Sequence, residues 1–246
     1  MAVLLVTGGS RGIGAAVVAR GAAAGWDVCL TYRSDEDAAH RVAAAAREQG
    51  VEARAVRADV AVEADVEAAF AAADAMGPLG GVVVNAGVVA PKSRVDAVSA
   101  ARVADMLAVN VVGAVVTCRE AVRRLSTAHG GPGGSIVLVG SVASRLGSPG
   151  EYVDYAASKA AVDTLGLGLS KEVADEGVRV NVVRPGIVDT EIHASGGQPD
   201  RVARIGPTVP IGRAGTADEV AAAVAWLLSD EASYCTGSVL DVTGGR

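Results

Sequence analysis

The chain has 246 residues, 50% of them apolar, and a net charge of -6 from 22 Lys and Arg against 28 Asp and Glu. That apolar content excludes a disordered chain, and the lack of any basic block argues against a nucleic-acid partner. The longest uninterrupted apolar stretches, such as 220–228, fall short of the roughly 20 residues a membrane span needs, so no membrane is expected.

With one Phe, two Trp and four Tyr, the interior must be filled by Ala and Val, which suits thin helices packed on a Val-rich parallel sheet. Residues 2–6 read as a strand that runs straight into a glycine loop, with no basic n-region; this predicts a cytoplasmic protein without a signal peptide. A helix over 12–24 stops at Gly25, a strand covers 27–32, and a helix over 36–49 ends at Gly50. Then come a strand at 52–57, a helix at 62–75, an apolar strand at 81–85 and a long helix over 100–126. Strands at 134–139, 178–183 and 238–242 alternate with helices at 155–174 and 217–229. This alternation predicts a single α/β domain over 1–246: a Rossmann-type, doubly wound parallel sheet of about seven strands with helices on both faces. Residues 184–215 break the rhythm, with Pro185, Pro199, Pro207, Pro210 and six glycines. A loop of that length predicts a substrate lid.

The loop Thr7-Gly8-Gly9-Ser10-Arg11-Gly12-Ile13-Gly14 lies between the first strand and the first helix. Glycines there let the backbone approach a pyrophosphate, whose charge meets the free N–H groups of the helix end. A dinucleotide is the expected ligand. A carboxylate at the end of the second strand would bind a ribose 2′-OH and select NAD(H), whereas an arginine accommodates a 2′-phosphate. Arg33 follows that strand, and Arg11 in the glycine loop can point to the same place, so NADP(H) is the predicted preference. Asp35, Glu36 and Asp37 come next, and a strand end one turn later would bring Asp35 into range; NAD(H) therefore stays open.

Tyr155 and Lys159 stand four residues apart at a predicted helix start and share one face, so the ammonium should lower the phenol pKa. Ser141 follows a strand end, where open parallel sheets bind ligands. Tyr152 is the rival tyrosine, but Ala156 four residues on cannot assist it.

Together these features resemble the short-chain dehydrogenase/reductase family over nearly the whole chain. Its glycine motif matches Thr7–Gly14, its adenine contact Asp59-Val60, and its Asn-Ala-Gly motif Asn85-Ala86-Gly87. Its helix asparagine matches Asn110, its serine Ser141, its tyrosine and lysine Tyr155 and Lys159, and its Pro-Gly and threonine Pro185-Gly186 and Thr190, with Ile187 between. The segments 141–159 and 193–197 look most similar to bacterial glucose-1-dehydrogenase-like members. Two positions depart from the pattern, Val84 for a second Asn and Gly140 for a second Ser.

The resemblance implies an oxidoreductase interconverting a carbonyl and a secondary alcohol, with the pro-S hydride transferred from nicotinamide C4. Tyr155 would act as general acid/base, Ser141 would hold the carbonyl oxygen, Lys159 would bind the nicotinamide ribose, and Asn110 would anchor a relay water. It also implies a homotetramer, with a homodimer as the alternative. Reduction of 3-oxoacyl carrier protein and oxidation of a sugar are rival activities. A non-catalytic NADPH sensor is a different class, one that would have no need to keep both Tyr155 and Lys159. His40, His129 and His193 lack metal-ligand partners, as do Cys29, Cys118 and Cys235, so no metal is expected. His193 and Tyr152 are candidates to line the substrate pocket with Ser141 and Tyr155.

Overall fold

The first strand, β1 (Val3–Val6), and the second, β2 (Asp27–Tyr32), are buried at every position, as strands covered on both faces must be. The computed structural model describes residues 1–246. The other strands are β3 (Ala53–Arg57), β4 (Leu79–Val84), β5 (Gly134–Val139), β6 (Val178–Pro185) and β7 (Val239–Val242). All seven form one parallel sheet in the order β3-β2-β1-β4-β5-β6-β7.

Alternate side chains of each strand go to opposite cores. Leu4 and Val6 join the cluster covered by α1 (Gly12–Ala23), α2 (Glu36–Arg47) and α10 (Ala217–Leu228). Val3 and Leu5 join the cluster covered by α3 (Glu63–Asp74), α5 (Gly113–Leu125) and α7 (Val153–Glu172). Small residues let these helices sit close: α2 buries only Ala39, Ala43 and Ala46. At the start of α10, Thr216 and Glu219 close a reciprocal capping box.

The long helix expected over 100–126 is interrupted. It consists of α4 (Ala100–Leu107), a π-helical segment (Ala108–Val112) and α5. Its apolar pattern continues through the break, so periodicity alone does not reveal it. By length and composition Ala100–Leu125 is apolar enough to cross a membrane, unlike the shorter stretches weighed above. In this fold α5 instead packs on α3, β4 and β5, and its Glu120 pairs with Arg119, Arg123 and Arg124.

Between β5 and α7 lies α6 (Ala143–Leu146). The segment 184–215 is more ordered than a lid without periodicity suggests. It carries α8 (Ile192–Ser195), α9 (Arg201–Ile205) and a 3-10 turn at Gly206–Thr208, and Val188 bridges to Gly215.

The sheet order reverses between β1 and β4, which are hydrogen-bonded neighbours. The glycine loop leaves β1 and Asn85-Ala86-Gly87 leaves β4, so both emerge at the switch point, where such sheets open a crevice.

Candidate active site

Two connected cavities open at that crevice. The first is a groove lined by Gly8, Ser10, Arg11, Gly12, Ile13 and Gly14 of the glycine loop, Arg33 after β2, Asp59 and Val60 after β3, and Asn85, Ala86 and Gly87 after β4. The helix α1 starts with no side-chain cap and no acidic residue in its first turn, which leaves its leading N–H groups for an anion. Only glycine fits at the loop's tightest point: a Cβ on Gly14 would lie 2.2 Å from the carbonyl oxygen of Gly8. Asn85 holds the loop down, its Nδ2 donating to the carbonyls of Thr7 at 2.9 Å and Gly8 at 3.0 Å. Thr7 Oγ1 in turn accepts from the backbone N–H of Asn85 and Ala86. This cradle fits the pyrophosphate of a dinucleotide.

At the far end of the groove β2 stops at Tyr32, so Arg33 is the first residue past the strand. Arg33 and Arg11 are exposed and in no ion pair. Asp35 also reaches the groove, but its side chain caps α2, accepting from the N–H of Ala38 at 2.9 Å.

The second cavity is a chamber between the end of β5, α7 and the 184–215 segment. Ser141, Tyr152, Tyr155, Lys159, Pro185, Gly186, Ile187, Thr190 and His193 line it. Ile13, Asn85, Gly87, Thr190 and Ile192 line both cavities and so form the wall where they meet. Pro185, Gly186 and Ile187 line the chamber and not the groove.

The helix α7 begins two residues before Tyr155. Its first turn is anchored by Asp154, which accepts from Arg102 Nε at 2.8 Å and from the N–H of Tyr155 at 3.0 Å. Lys159, one turn further on, is 5% exposed and donates through Nζ to the carbonyl of Val139 at 2.8 Å. That ammonium sits 5.9 Å from the centre of the Tyr155 ring. Burial lowers the Lys159 pKa from 10.5 to about 8, against the opposing pull of Asp163.

The lowered phenol pKa that i, i+4 spacing suggests is not found. Burial pushes Tyr155 above its ordinary value, and the neighbouring Ser141 hydroxyl offsets this only in part. Withdrawal from water disfavours the phenolate, and the Lys159 ammonium, which donates to Val139, stands 5.9 Å from the ring centre. Ser141 Oγ also accepts from the N–H of Ala143 at 3.2 Å, which fixes the hydroxyl beside the phenol.

Asn110 stands in the π-helical segment, 1% exposed, with its carboxamide committed to the protein. Its Oδ1 accepts from the N–H of Val88 at 2.8 Å, and its Nδ2 donates to Val88 O at 2.9 Å and Ser158 Oγ at 3.0 Å. A Cβ on Gly87 would lie 3.3 Å from Lys159 Nζ and 3.4 Å from Asn110 Oδ1, so those two atoms border one small space.

Of the two expected pocket residues, Tyr152 is buried and its hydroxyl is engaged, donating to Gly196 O at 3.3 Å and accepting from Gln198. His193 Nε2 is 2.9 Å from Val188 O, and burial lowers its pKa. Both therefore shape the chamber through the 184–215 segment. The residues that sequence reasoning passed over are Arg201 and Arg246, which also line the chamber. Their one advance signal is positive charge in or after the Pro-rich segment of an acidic chain.

A family model described as enoyl-(acyl carrier protein) reductase matches residues 8–246. The chain is 51% identical to the uncharacterized oxidoreductase YgfF of Escherichia coli K12 over the full length of both. Its fold superposes with a TM-score of 0.89 on a short-chain dehydrogenase from Burkholderia cenocepacia in complex with NADP, at 34% identity over 98% of this chain and 96% of that one. A 3-ketoacyl-(acyl-carrier-protein) reductase from Brucella melitensis complexed with NADH gives a TM-score of 0.91, at 31% identity over 100% and 98%.

Proposed function

Because the chain belongs to the short-chain dehydrogenase/reductase family, we propose that it interconverts a small-molecule carbonyl and a secondary alcohol, with Tyr155 as general acid/base. The observation that carries this reading is the convergence of Ser141, Tyr155 and Lys159 in one chamber that shares a wall with the dinucleotide groove.

A bound nicotinamide supplies or takes the hydride at its C4 carbon. The chain's own residues do the rest. Tyr155, a phenol that burial pushes above its ordinary pKa, holds the proton that a carbonyl oxygen takes on reduction. Ser141 Oγ, beside the phenol, donates to the same oxygen and stabilises its developing charge. Lys159 places a positive charge behind the ring, and Lys159 with Asn110 borders the space at Gly87 through which a relay water would resupply the proton. Asn85 and the glycine loop would hold the dinucleotide's pyrophosphate, in a groove that shares a wall with the chamber.

NADP(H) is the proposed preference, supported by two exposed arginines past β2 and in the glycine loop and by an Asp35 already used as a helix cap. The segment 184–215 serves as the substrate cover. A homotetramer is the proposed assembly, supported by the exposed apolar side chains of Val112, Val115 and Leu167 on the long helices; the cytoplasm is the proposed location.

The test is oxidation of NADPH and NADH against ketones, diketones, quinones, sugars and acyl thioesters, with the reverse reaction alongside. Turnover of one carbonyl class, abolished in Tyr155→Phe while NADPH binding is retained, is the expected result. Turnover that survives in Tyr155→Phe overturns the assignment.

A further inference from the structure

The chamber is electrically one-sided. Its lining includes Lys159, Arg201 and Arg246 and no Asp or Glu side chain, in a chain whose net charge is -6. Lys159 belongs to the chemistry just described. The two arginines do not, and nothing in that mechanism needs them.

Arg201 is 8% exposed, at the start of α9. One arm of its guanidinium, Nη2, meets Glu151 at 2.8 Å, and its Cζ lies over the Tyr152 ring, 5.2 Å from the ring centre. The other arm, Nη1, is buried without a hydrogen-bond partner. Arg246 repeats the pattern, lining the same chamber with a buried Nη1 that has no partner. An unmet donor on a buried cation costs more than one on a neutral group, so two of them lining one chamber are an expensive arrangement for packing alone. Glu151 pairs with only one of the two arginines, through Nη2 of Arg201. Burial is the main reason the His193 pKa is lowered, and Arg201 adds to it against the opposing pull of the Val188 carbonyl and Asp189.

We propose that the substrate carries an anionic head group, a carboxylate or sulfonate, which Arg201 and Arg246 bind through their free Nη1 donors while its carbonyl lies at Ser141 and Tyr155. This rests on the oxidoreductase reading of the same site. Tyr152 fixes the relation between the two ends, because it stacks under Arg201 and stands three residues before Tyr155 at the start of α7. The substrate class is therefore an oxo acid, or the matching hydroxy acid in the reverse direction. A neutral ketone or sugar would leave both donors unmet.

The experiment compares methyl ketones bearing a terminal carboxylate, from 4-oxopentanoate to 8-oxononanoate, with their methyl esters and with sulfonates of matched length, using NADPH. One chain length is expected to give kcat/KM roughly 10- to 100-fold higher for the acid than for the ester, the range of a charge-assisted hydrogen bond. Arg201→Gln and, separately, Arg246→Gln should each shrink that ratio at least several-fold, through KM more than kcat. The sulfonate arm decides which anion is preferred. Esters turned over as well as acids, or a ratio unmoved in both variants, overturns the proposal.

Calorimetric titration of hexanoate and its methyl ester into the protein with NADP+ reads the anion site without turnover. Hexanoate binding lost in Arg246→Gln supports it, and equal binding of acid and ester refutes it. If hexanoate binds in this way but no ketone is reduced, the oxidoreductase reading fails and the anion site stands. Arg246→Gln serves where Arg201→Gln, which also frees Glu151, does not fold.

Discussion

Asn110 and Ser158 are joined side chain to side chain, with the Asn110 carboxamide donating to Ser158 Oγ at 3.0 Å in the buried seam between the π-helical segment and α7. Ser158 passes the link on by donating to the carbonyl of Tyr155 at 2.7 Å. The asparagine thereby sets the position of the helix that carries both Tyr155 and Lys159, in addition to bordering the space beside Gly87.

Replacing Asn110 with Ala strands the N–H and carbonyl of Val88, both of which the carboxamide now satisfies. The expected loss of stability is about 2–4 kcal/mol, the lower part of the range for two unmet groups at about 1–3 kcal/mol each, because Val88 is only partly buried. Chemical denaturation of the two proteins measures it, and turnover should fall as well because α7 loses its tie to Val88. A variant as stable as the parent would show that water replaces the carboxamide at no cost.

Direction of catalysis should depend on pH. Tyr155 is held above its ordinary pKa, so the protonated phenol that reduction requires persists through neutral pH. Carbonyl reduction is expected to stay level from about pH 6 to about pH 8, whereas alcohol oxidation, which needs the phenolate, should climb as pH rises. Initial rates in both directions across the range check this; oxidation that peaks at acid pH contradicts it.

Lys159 makes stability itself pH-dependent. Its pKa falls from 10.5 unfolded to about 8 folded, so between those values the unfolded chain binds more protons and stability from this group rises with pH. Below pH 8 the buried charge costs the full amount, about 3 kcal/mol at most. The Lys159→Met protein escapes this term. Its Tm relative to the parent should be most favourable at neutral pH and should lose ground as pH rises from 8 toward 10.5. A Tm difference that is flat across that interval contradicts the shift.

Arg11 and Arg33 give a cofactor test. If these arginines hold the 2′-phosphate as proposed, replacing both with Ala should raise the ratio of NADPH to NADH dissociation constants by ~10- to 100-fold through the loss of charge-assisted contacts. Fluorescence titration of both cofactors reads the ratio. An unchanged ratio would move the phosphate contact elsewhere in the groove.

Much of this was legible in the chain. Fully apolar runs such as Val3–Val6 become strands buried on both faces, and the glycine loop and Asn85-Ala86-Gly87 meet because their strands are neighbours. Tyr155 and Lys159 share a helix face as their spacing requires. What spacing does not carry is solvent. The phenol of Tyr155 is governed by burial in the assembled cleft, which a local i, i+4 argument omits. The π-helical break at Ala108–Val112 is hidden for a related reason: its Ala and Val residues suit either helical form. Arg201 and Arg246 lie 45 positions apart and come to line one chamber only in the folded chain.

Thr190 and Ile192 stand in the wall between groove and chamber, facing both. A molecule that settles in either cavity therefore orders part of the other. Whatever factor the dinucleotide adds to substrate affinity, the substrate must return to the dinucleotide in equal measure. A shared partition makes the two cavities thermodynamic partners, so cofactor retention during turnover is partly in the hands of the substrate.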